Sequence, residues 1–78
     1  MKTYVLMFQE QGGHWISIHH VAVVHCNNRS AVIRYAKERL LAGHCDGRYV
    51  GSRCVVYCTD DHAFWELWLH DGIVEVFS

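Results

Sequence analysis

The sequence predicts an α+β domain in which one α-helix packs on one face of an antiparallel β-sheet of about five strands. Three observations predict this fold class. Residues 54–78 alternate apolar and polar side chains around two tight turns, residues 29–42 have helical spacing, and residues 2–26 are rich in strand-forming residues. The predicted order is ββαβββ. The chain has 78 residues and forms a single domain, 1–78, of a size that buries about 60% of its unfolded surface.

Residues 2–26 are predicted to form two strands that pair as a hairpin. Gly12-Gly13 lies between the strands as a two-residue loop, which places Met7 opposite Ile18. The alternation of apolar and polar residues weakens at His19-His20. We therefore expect a β-bulge there, and the extra residue would exchange the set of side chains that faces inward.

The single predicted helix runs from Arg29 to Ala42. Its N-cap is supplied by Asn27-Asn28 or by Ser30, and Gly43 is a natural residue to end it. Apolar residues recur along the helix at the spacing of a buried stripe. The stripe consists of Val32, Ile33, Ala36 and Leu40.

Strand and turn signals alternate in the remainder of the chain. Residues 44–47 are predicted as a loop, and strand-forming residues follow from Arg48. Gly51 interrupts this run, so we expect a bulge or bend there. Two tight turns then follow, one at Asp60-Asp61 and one at Asp71-Gly72, and the second has the composition of a type I′ hairpin turn.

These two turns fix the register of three C-terminal strands, and both assign the same residues to one face. The predicted core face consists of Cys54, Val56, Cys58, Ala63, Trp65, Leu67, Leu69, Val74 and Val76. The opposite face consists of Arg53, Val55, Tyr57, Phe64, Glu66, Trp68, His70, Ile73, Glu75 and Phe77. One helix of about 14 residues can cover only one face of a five-stranded sheet. The second face must therefore contact water or a partner.

Metal binding is suggested by the many cysteines and histidines, but the spacing argues against it. Cys54-x3-Cys58-x3-His62 resembles a zinc motif, yet the two cysteines lie on one strand about 13 Å apart. His25-Cys26 and His44-Cys45 are adjacent pairs at the ends of elements. We therefore expect buried thiols and surface imidazoles, with no metal and no cofactor.

Catalytic chemistry is also not expected. His44-Cys45-Asp46 contains the residue types of a nucleophilic triad, but residues adjacent in sequence do not have triad geometry. Asp60-Asp61 is explained more simply by turn formation than by paired carboxylate catalysis. We predict that the protein is not an enzyme and has no catalytic residues.

The charge of the chain is polarised, although its net charge is −1 at pH 7. Residues 29–53 contain six basic side chains against two carboxylates, and residues 54–78 contain five carboxylates without lysine or arginine. The small net charge argues against a general nucleic-acid or membrane binder. The start of the chain lacks a signal-peptide pattern, so we expect a cytoplasmic protein with free thiols.

Nucleic-acid binding remains the alternative. Aromatic residues on the second face are able to stack bases, but Glu66 and Glu75 on the same face repel phosphate. A small nucleic-acid-binding or regulatory module would instead use the basic helix. Its basic residues are Arg29, Arg34, Lys37 and Arg39.

Protein recognition agrees best with an aromatic face bordered by carboxylates. Homodimerisation through the same face is a further alternative. The predicted partner-binding residues centre on Trp68. They are Tyr57, Asp60, Asp61, Phe64, Glu66, Trp68, His70, Asp71, Glu75 and Phe77.

Three segments also resemble those of a known group. They are the opening strand KTYVLMFQE, the helix NRSAVIRYAKERLLAG after a strand that ends in VVHC, and the closing hairpin FWELWLHDG. In this order the chain resembles the small phage-encoded anti-CRISPR proteins with a sheet and one helix. The resemblance implies a non-catalytic inhibitor in the host bacterial cell. It would dock on subunits of a CRISPR surveillance complex and block target binding or nuclease recruitment.

Overall fold

A computed structural model describes residues 1–78. It shows that the protein is built on one five-stranded antiparallel sheet. The strands lie in the order β2-β1-β5-β6-β7. The elements are β1 (Lys2–Gln11), β2 (Ile16–Cys26), α1 (Arg29–Ala42), β3 (His44–Cys45), β4 (Arg48–Tyr49), β5 (Arg53–Cys58), β6 (Phe64–His70) and β7 (Ile73–Phe77). The predicted α+β class is confirmed. A small hairpin, β3–β4, forms in the segment expected to begin as a loop.

Both C-terminal hairpins have the predicted registers. His70 lies opposite Ile73, and the intervening Asp71 and Gly72 have φ angles of 51° and 75°. These positive values match the type I′ turn that the Asp-Gly pair predicts. In the preceding hairpin, the amide of Cys58 donates to the carbonyl of Ala63 at 2.8 Å. The two faces of this part of the sheet are therefore the predicted ones.

The N-terminal hairpin differs from its predicted register. Met7 lies opposite Val21 rather than Ile18. Two residues of this difference come from a longer loop, in which the amide of Gly12 donates to the carbonyl of Trp15 at 2.9 Å, and the third comes from a β-bulge. The expected bulge is confirmed at His19, where the register of the hairpin shifts. This bulge exchanges the faces of the strand, as the sequence suggested.

Helix α1 has the predicted bounds because both caps form. The side chain of Asn28 accepts a hydrogen bond from the amide of Ser30 at 2.8 Å. Gly43 adopts a left-handed conformation with φ 82°, and its amide donates to the carbonyls of Arg39 and Leu40. These contacts satisfy backbone groups that a helix end leaves unpaired.

The core lies between α1 and one face of the sheet. Its buried apolar residues are Tyr4, Leu6, Phe8, Val32, Ala36, Leu40, Cys45, Val50, Cys54, Val56, Cys58, Trp65 and Leu67. The partly buried Ile33, Ala63, Leu69 and Val74 pack against them. Val76 departs from the predicted core set, with 43% of its surface exposed, because β7 is an edge strand.

Gly51 marks the predicted interruption before β5. It has φ 83°, and a Cβ atom added there would overlap the backbone carbonyl of Gln9. The amide of the neighbouring Ser52 donates to the carbonyl of Gln9 at 3.1 Å. The carbonyl of Ser52 accepts a hydrogen bond from the amide of Leu69 at 2.8 Å. The segment therefore fits tightly between β1 and β6.

Candidate docking surface

The second face of the sheet has no helix over it, because α1 and the hairpin β3–β4 both pack on the core side. We call this second face the open face. It is contributed by alternate residues of all five strands, as their registers show. Its principal side chains are Val5, Met7, Ile16, Ile18, Val21, Val23, Arg53, Val55, Tyr57, Phe64, Glu66, Trp68, His70, Ile73, Glu75 and Phe77. No pocket is found in the structure.

A continuous apolar band crosses the open face. One row runs from Val23 on β2 through Val5 and Tyr57 to Phe64 on β6, as successive strand pairings show. Val23 is 58% exposed, and Phe64 is 53% exposed. A contiguous exposed apolar surface of this kind is typical of interaction sites.

The β1 and β2 part of this band was absent from the predicted site. The sequence predicts a site only on the three C-terminal strands, because their turns specify the register. The signal that would have found the missing part is the alternation Ile16-Ser17-Ile18 followed, after the bulge, by Val21-Ala22-Val23. With the observed loop length, this alternation places four exposed aliphatic side chains on the open face.

A polar cluster around Arg53 lies beside the band, on the central strand β5. Arg53 donates to the side-chain oxygens of Gln9 at 3.2 Å and Gln11 at 2.6 Å. It also pairs with Glu66 at 2.5 Å, and its guanidinium lies 4.8 Å from the ring centre of Trp68. Trp68, the centre of the predicted site, is therefore half-buried and held in place rather than freely projecting.

Glu66 is neutralised within this cluster. The indole N–H of Trp68 donates to its carboxylate at 3.0 Å. This hydrogen bond is the main cause that holds the pKa of Glu66 below its ordinary value, and the contact with Arg53 adds to it. Both contacts favour the ionised carboxylate. Glu66 therefore contributes little free charge to the open face.

The Asp60-Asp61 turn is tied to the start of β1. Asp60 accepts a hydrogen bond from the amide of Thr3 at 2.7 Å, and Asp61 pairs with Lys2 at 2.9 Å. The hydrogen bond from Lys2 is the main cause that lowers the pKa of Asp61 well below its usual range. A hydrogen bond from the amide of Ala63 lowers it further. The contact between Asp61 and Lys2 also raises the pKa of Lys2. These carboxylates thus have structural partners.

Acidification tests the Asp61 contact. Because a depressed folded pKa means that the unfolded chain binds the proton first, stability should be complete above about pH 5 and fall as the pH approaches about 2. Asp61→Asn should show a flatter dependence of melting temperature on pH than the wild type. Glu38→Gln, on the exposed helix surface, should keep the wild-type profile. Parallel profiles for wild type and Asp61→Asn would contradict the assignment.

The predicted site residues therefore do not form one cluster. Tyr57, Phe64, Glu66, Trp68, His70, Glu75 and Phe77 lie on the open face, as their registers show. Asp60 and Asp61 lie in the β5–β6 turn, and Asp71 lies in the β6–β7 turn beyond the opposite end of β6. Asp71 also lies 3.3 Å from His70. Asp60, Asp61 and Asp71 thus lie at the turns and Glu75 lies on the edge strand β7, whereas Glu66 lies inside the open face and is paired with Arg53.

The basic helix has partners for two of its cations. The guanidinium of Arg29 lies 4.4 Å from the ring centre of Trp65, and that of Arg39 lies 5.8 Å from the ring of Tyr35. Such stacking uses the cation and the apolar stem together. Arg34 and Lys37 remain exposed on the outer surface of the helix.

The cysteines differ in their surroundings. All four are free thiols, and burial raises the pKa of Cys54 to about 12, so this thiol stays protonated at neutral pH. Cys45 is buried near His20 and Asp46, and the potential ligand atoms of these three residues lie within 4.8 Å of one another. His20 belongs to no zinc-like motif of the sequence, and the β-bulge brings it to this place.

The protein was compared with family models, curated proteins and solved structures. No match was found in any of the three. Helix α1 has neither the length nor the apolar character of a membrane-spanning helix. Function is therefore inferred from the geometry and charge of the open face.

Proposed function

We propose that the protein is a non-catalytic binding module that docks on another protein through the open face. The observation that supports this proposal is the exposed apolar band from Val23 to Phe64, which no element of the fold covers. Contiguous apolar surface of this kind is stabilised by removal from water. An apolar row with polar side chains beside it has the composition of a protein interface.

The charges around the band favour a protein partner with basic side chains beside an apolar patch. Arg53 is a basic residue on the open face, but it is paired with Glu66. Glu75 and Asp71 are exposed at the β6–β7 end. A phosphate backbone would meet no free cation in this arrangement, whereas a basic protein surface would meet these carboxylates.

The proposed class of partner is a host CRISPR surveillance complex, with the protein acting as a phage or mobile-element inhibitor in the bacterial cytoplasm. The sequence resemblance to anti-CRISPR proteins suggests this class. Such complexes hold the guide–target duplex in a positively charged channel. An apolar face with acidic borders is complementary to surfaces near such a channel. Docking there would block target binding or nuclease recruitment.

Substitutions on the open face should separate binding from folding. Val23→Lys places a charge in the apolar band, and Trp68→Ala removes the indole that lies beside the band in the Arg53 cluster. In titrations with purified surveillance complexes, Trp68→Ala should weaken binding by about 2 kcal/mol or more, which is about 30-fold. Val23→Lys should abolish binding while costing less than about 1 kcal/mol of stability. Lys37→Glu, on the outer helix surface, is the matched control and should bind like the wild type.

A cellular assay tests the inhibitor role directly. Cells with an active CRISPR system should accept a targeted plasmid at least about tenfold more often when they express the wild type, because blocked target binding prevents cleavage. Val23→Lys should not protect the plasmid. Absence of protection and of binding across the CRISPR types tested would reject this class of partner.

Two alternatives to a protein partner of this class, homodimerisation and nucleic-acid binding, would give distinct results. If sedimentation shows a dimer that Val23→Lys dissociates, the open face binds a second copy of the chain. If a gel shift shows nucleic-acid binding that Lys37→Glu weakens and Val23→Lys does not, the basic helix is the binding surface. Either result, without binding to a surveillance complex, would contradict the proposed partner.

A further inference from the structure

We propose that His20, Cys45 and Asp46 form a binding site for a divalent transition metal, with zinc as the best-suited ion. The imidazole, thiol and carboxylate ligand atoms of these residues lie within 4.8 Å of one another. The site lies on the helix side of the sheet, where β2 meets the hairpin β3–β4. It is therefore separate from the open face and does not depend on the proposed docking function.

The β-bulge in β2 brings His20 to this site. His20 lies opposite Phe8, a core residue, and the ring centres of the two residues are 6.0 Å apart. The neighbouring His19 packs edge-to-face against Tyr49 of β4 at 5.1 Å. A bulge changes the direction of a side chain, and bulges are frequent beside functional sites. Without the extra residue, His20 would point to the open face.

The hairpin β3–β4 supplies the other two ligands from adjacent positions. Cys45 is 4% exposed, and its sulfur lies 3.6 Å from the hydroxyl of Tyr35. Asp46 follows at the first position of the turn, with φ 52°, and is exposed. The hairpin thus offers His20 one buried ligand and one exposed ligand.

Neither His20 nor Asp46 is engaged elsewhere in the fold. The hydrogen bonds made by histidine rings involve His25, His44 and His62. The ion pairs of the protein involve the carboxylates of Asp61, Glu66 and Asp71. These two ligands are therefore available, and the third, Cys45, contacts only the hydroxyl of Tyr35, which is able to donate to a thiolate.

The donor set favours zinc over harder ions. Nitrogen, sulfur and carboxylate oxygen are the donors that zinc uses, whereas magnesium and calcium require oxygen ligands. Tetrahedral zinc would hold the sulfur and nitrogen about 3.6 Å apart, given bond lengths of about 2.3 and 2.1 Å. The ligand atoms already lie within 4.8 Å of one another, so small side-chain rotations bring them to this spacing. Three protein ligands leave the fourth position for water.

A nucleophilic triad has the same three residue types but a different geometry. In a triad the thiol and the carboxylate bind opposite nitrogens of the imidazole, so the whole ring and two hydrogen bonds separate them. Here the thiol and the carboxylate also lie within 4.8 Å of each other. Mutual proximity of all three ligand atoms is the arrangement that a single ion requires.

Cobalt and zinc titrations of the chelator-treated protein test the site. The wild type should bind one equivalent of Co²⁺. Binding should produce a thiolate-to-cobalt charge-transfer band and, separately, the visible absorption bands of tetrahedral Co²⁺. Zn²⁺ should displace the cobalt and raise the melting temperature. Cys45→Ser should remove the charge-transfer band, and His20→Gln and Asp46→Asn should each weaken binding at least tenfold. Asparagine tolerates the left-handed turn position, so Asp46→Asn preserves the hairpin.

Matched controls distinguish this site from adventitious binding by other histidines and cysteines. Cys26→Ser and His44→Gln change the same residue types outside the cluster and should titrate like the wild type. Circular dichroism identifies any variant that is unfolded. If Cys45→Ser is unfolded, the cobalt affinities of His20→Gln and Asp46→Asn test the site. The proposal is overturned if no charge-transfer band saturates below about 100 μM Co²⁺. It is also overturned if the band persists at full affinity in His20→Gln and Asp46→Asn.

Discussion

Replacing Trp65 with alanine is expected to destabilise the protein by about 3–5 kcal/mol, the range for removing a large aromatic side chain from a core. Trp65 is 1% exposed, packs edge-to-face on Tyr4 at 5.9 Å, and lies under Arg29. A domain of this size has only a few kcal/mol of net stability. Trp65→Ala should therefore be largely unfolded at 25 °C, which circular dichroism and urea titration would detect.

Two further variants show whether this loss reflects the core. The indole N–H of Trp65 is buried without a partner, so Trp65→Phe removes an unsatisfied donor and should lose much less stability. Trp68→Ala removes a half-buried ring and one hydrogen bond on the open face, and should cost about 1 kcal/mol. If Trp65→Ala and Trp68→Ala have the same melting temperature, the assignment of the two faces is wrong.

Replacing Gly51 with alanine is expected to cost about 3–5 kcal/mol, because backbone strain and a steric clash add together. The added Cβ would meet the carbonyl group of Gln9 and the amide of Glu10, and backbone atoms cannot rotate away as a side chain can. Relief would require β1 and the start of β5 to separate. Chemical denaturation measures the loss, and increased amide exchange at Ser52 and Leu69 would locate it.

Gly43 is the matched control for this substitution. Its φ of 82° is nearly the same as the 83° of Gly51, but a Cβ atom at Gly43 would meet nothing within 4 Å. Gly43→Ala should therefore cost only the strain of a left-handed alanine, about 1–2 kcal/mol. Equal losses in the two variants would show that the approach of Gly51 to β1 is not tight.

The helix and the C-terminal hairpins could be predicted because their signals are local. Asn28 and Gly43 specify the helix ends through contacts with residues a few positions away. Asp71-Gly72 specifies a turn, and a turn determines the register of both strands beside it. The faces of β5, β6 and β7 then follow from alternation alone.

The N-terminal register and the full docking surface could not be predicted in this way. The loop after Gln11 has two adjacent glycines, which are compatible with several loop lengths, and its final form includes Trp15. The cluster of His20 with Cys45 and Asp46 depends on the packing of a hairpin against a bulge. Contacts between segments distant in the chain are not encoded by the spacing of residues along it.

Strand β2 lies at the border of the main sheet, so the outer amide and carbonyl groups of its eleven residues have no neighbouring strand. An unpaired edge strand is a template to which a strand of another molecule can add. A straight, apolar edge strand promotes fibril growth. The β-bulge at His19 divides β2 into two segments whose in–out alternation is out of phase. An incoming strand can match either segment but not both, which limits uncontrolled growth while leaving room for a short, specific partner segment.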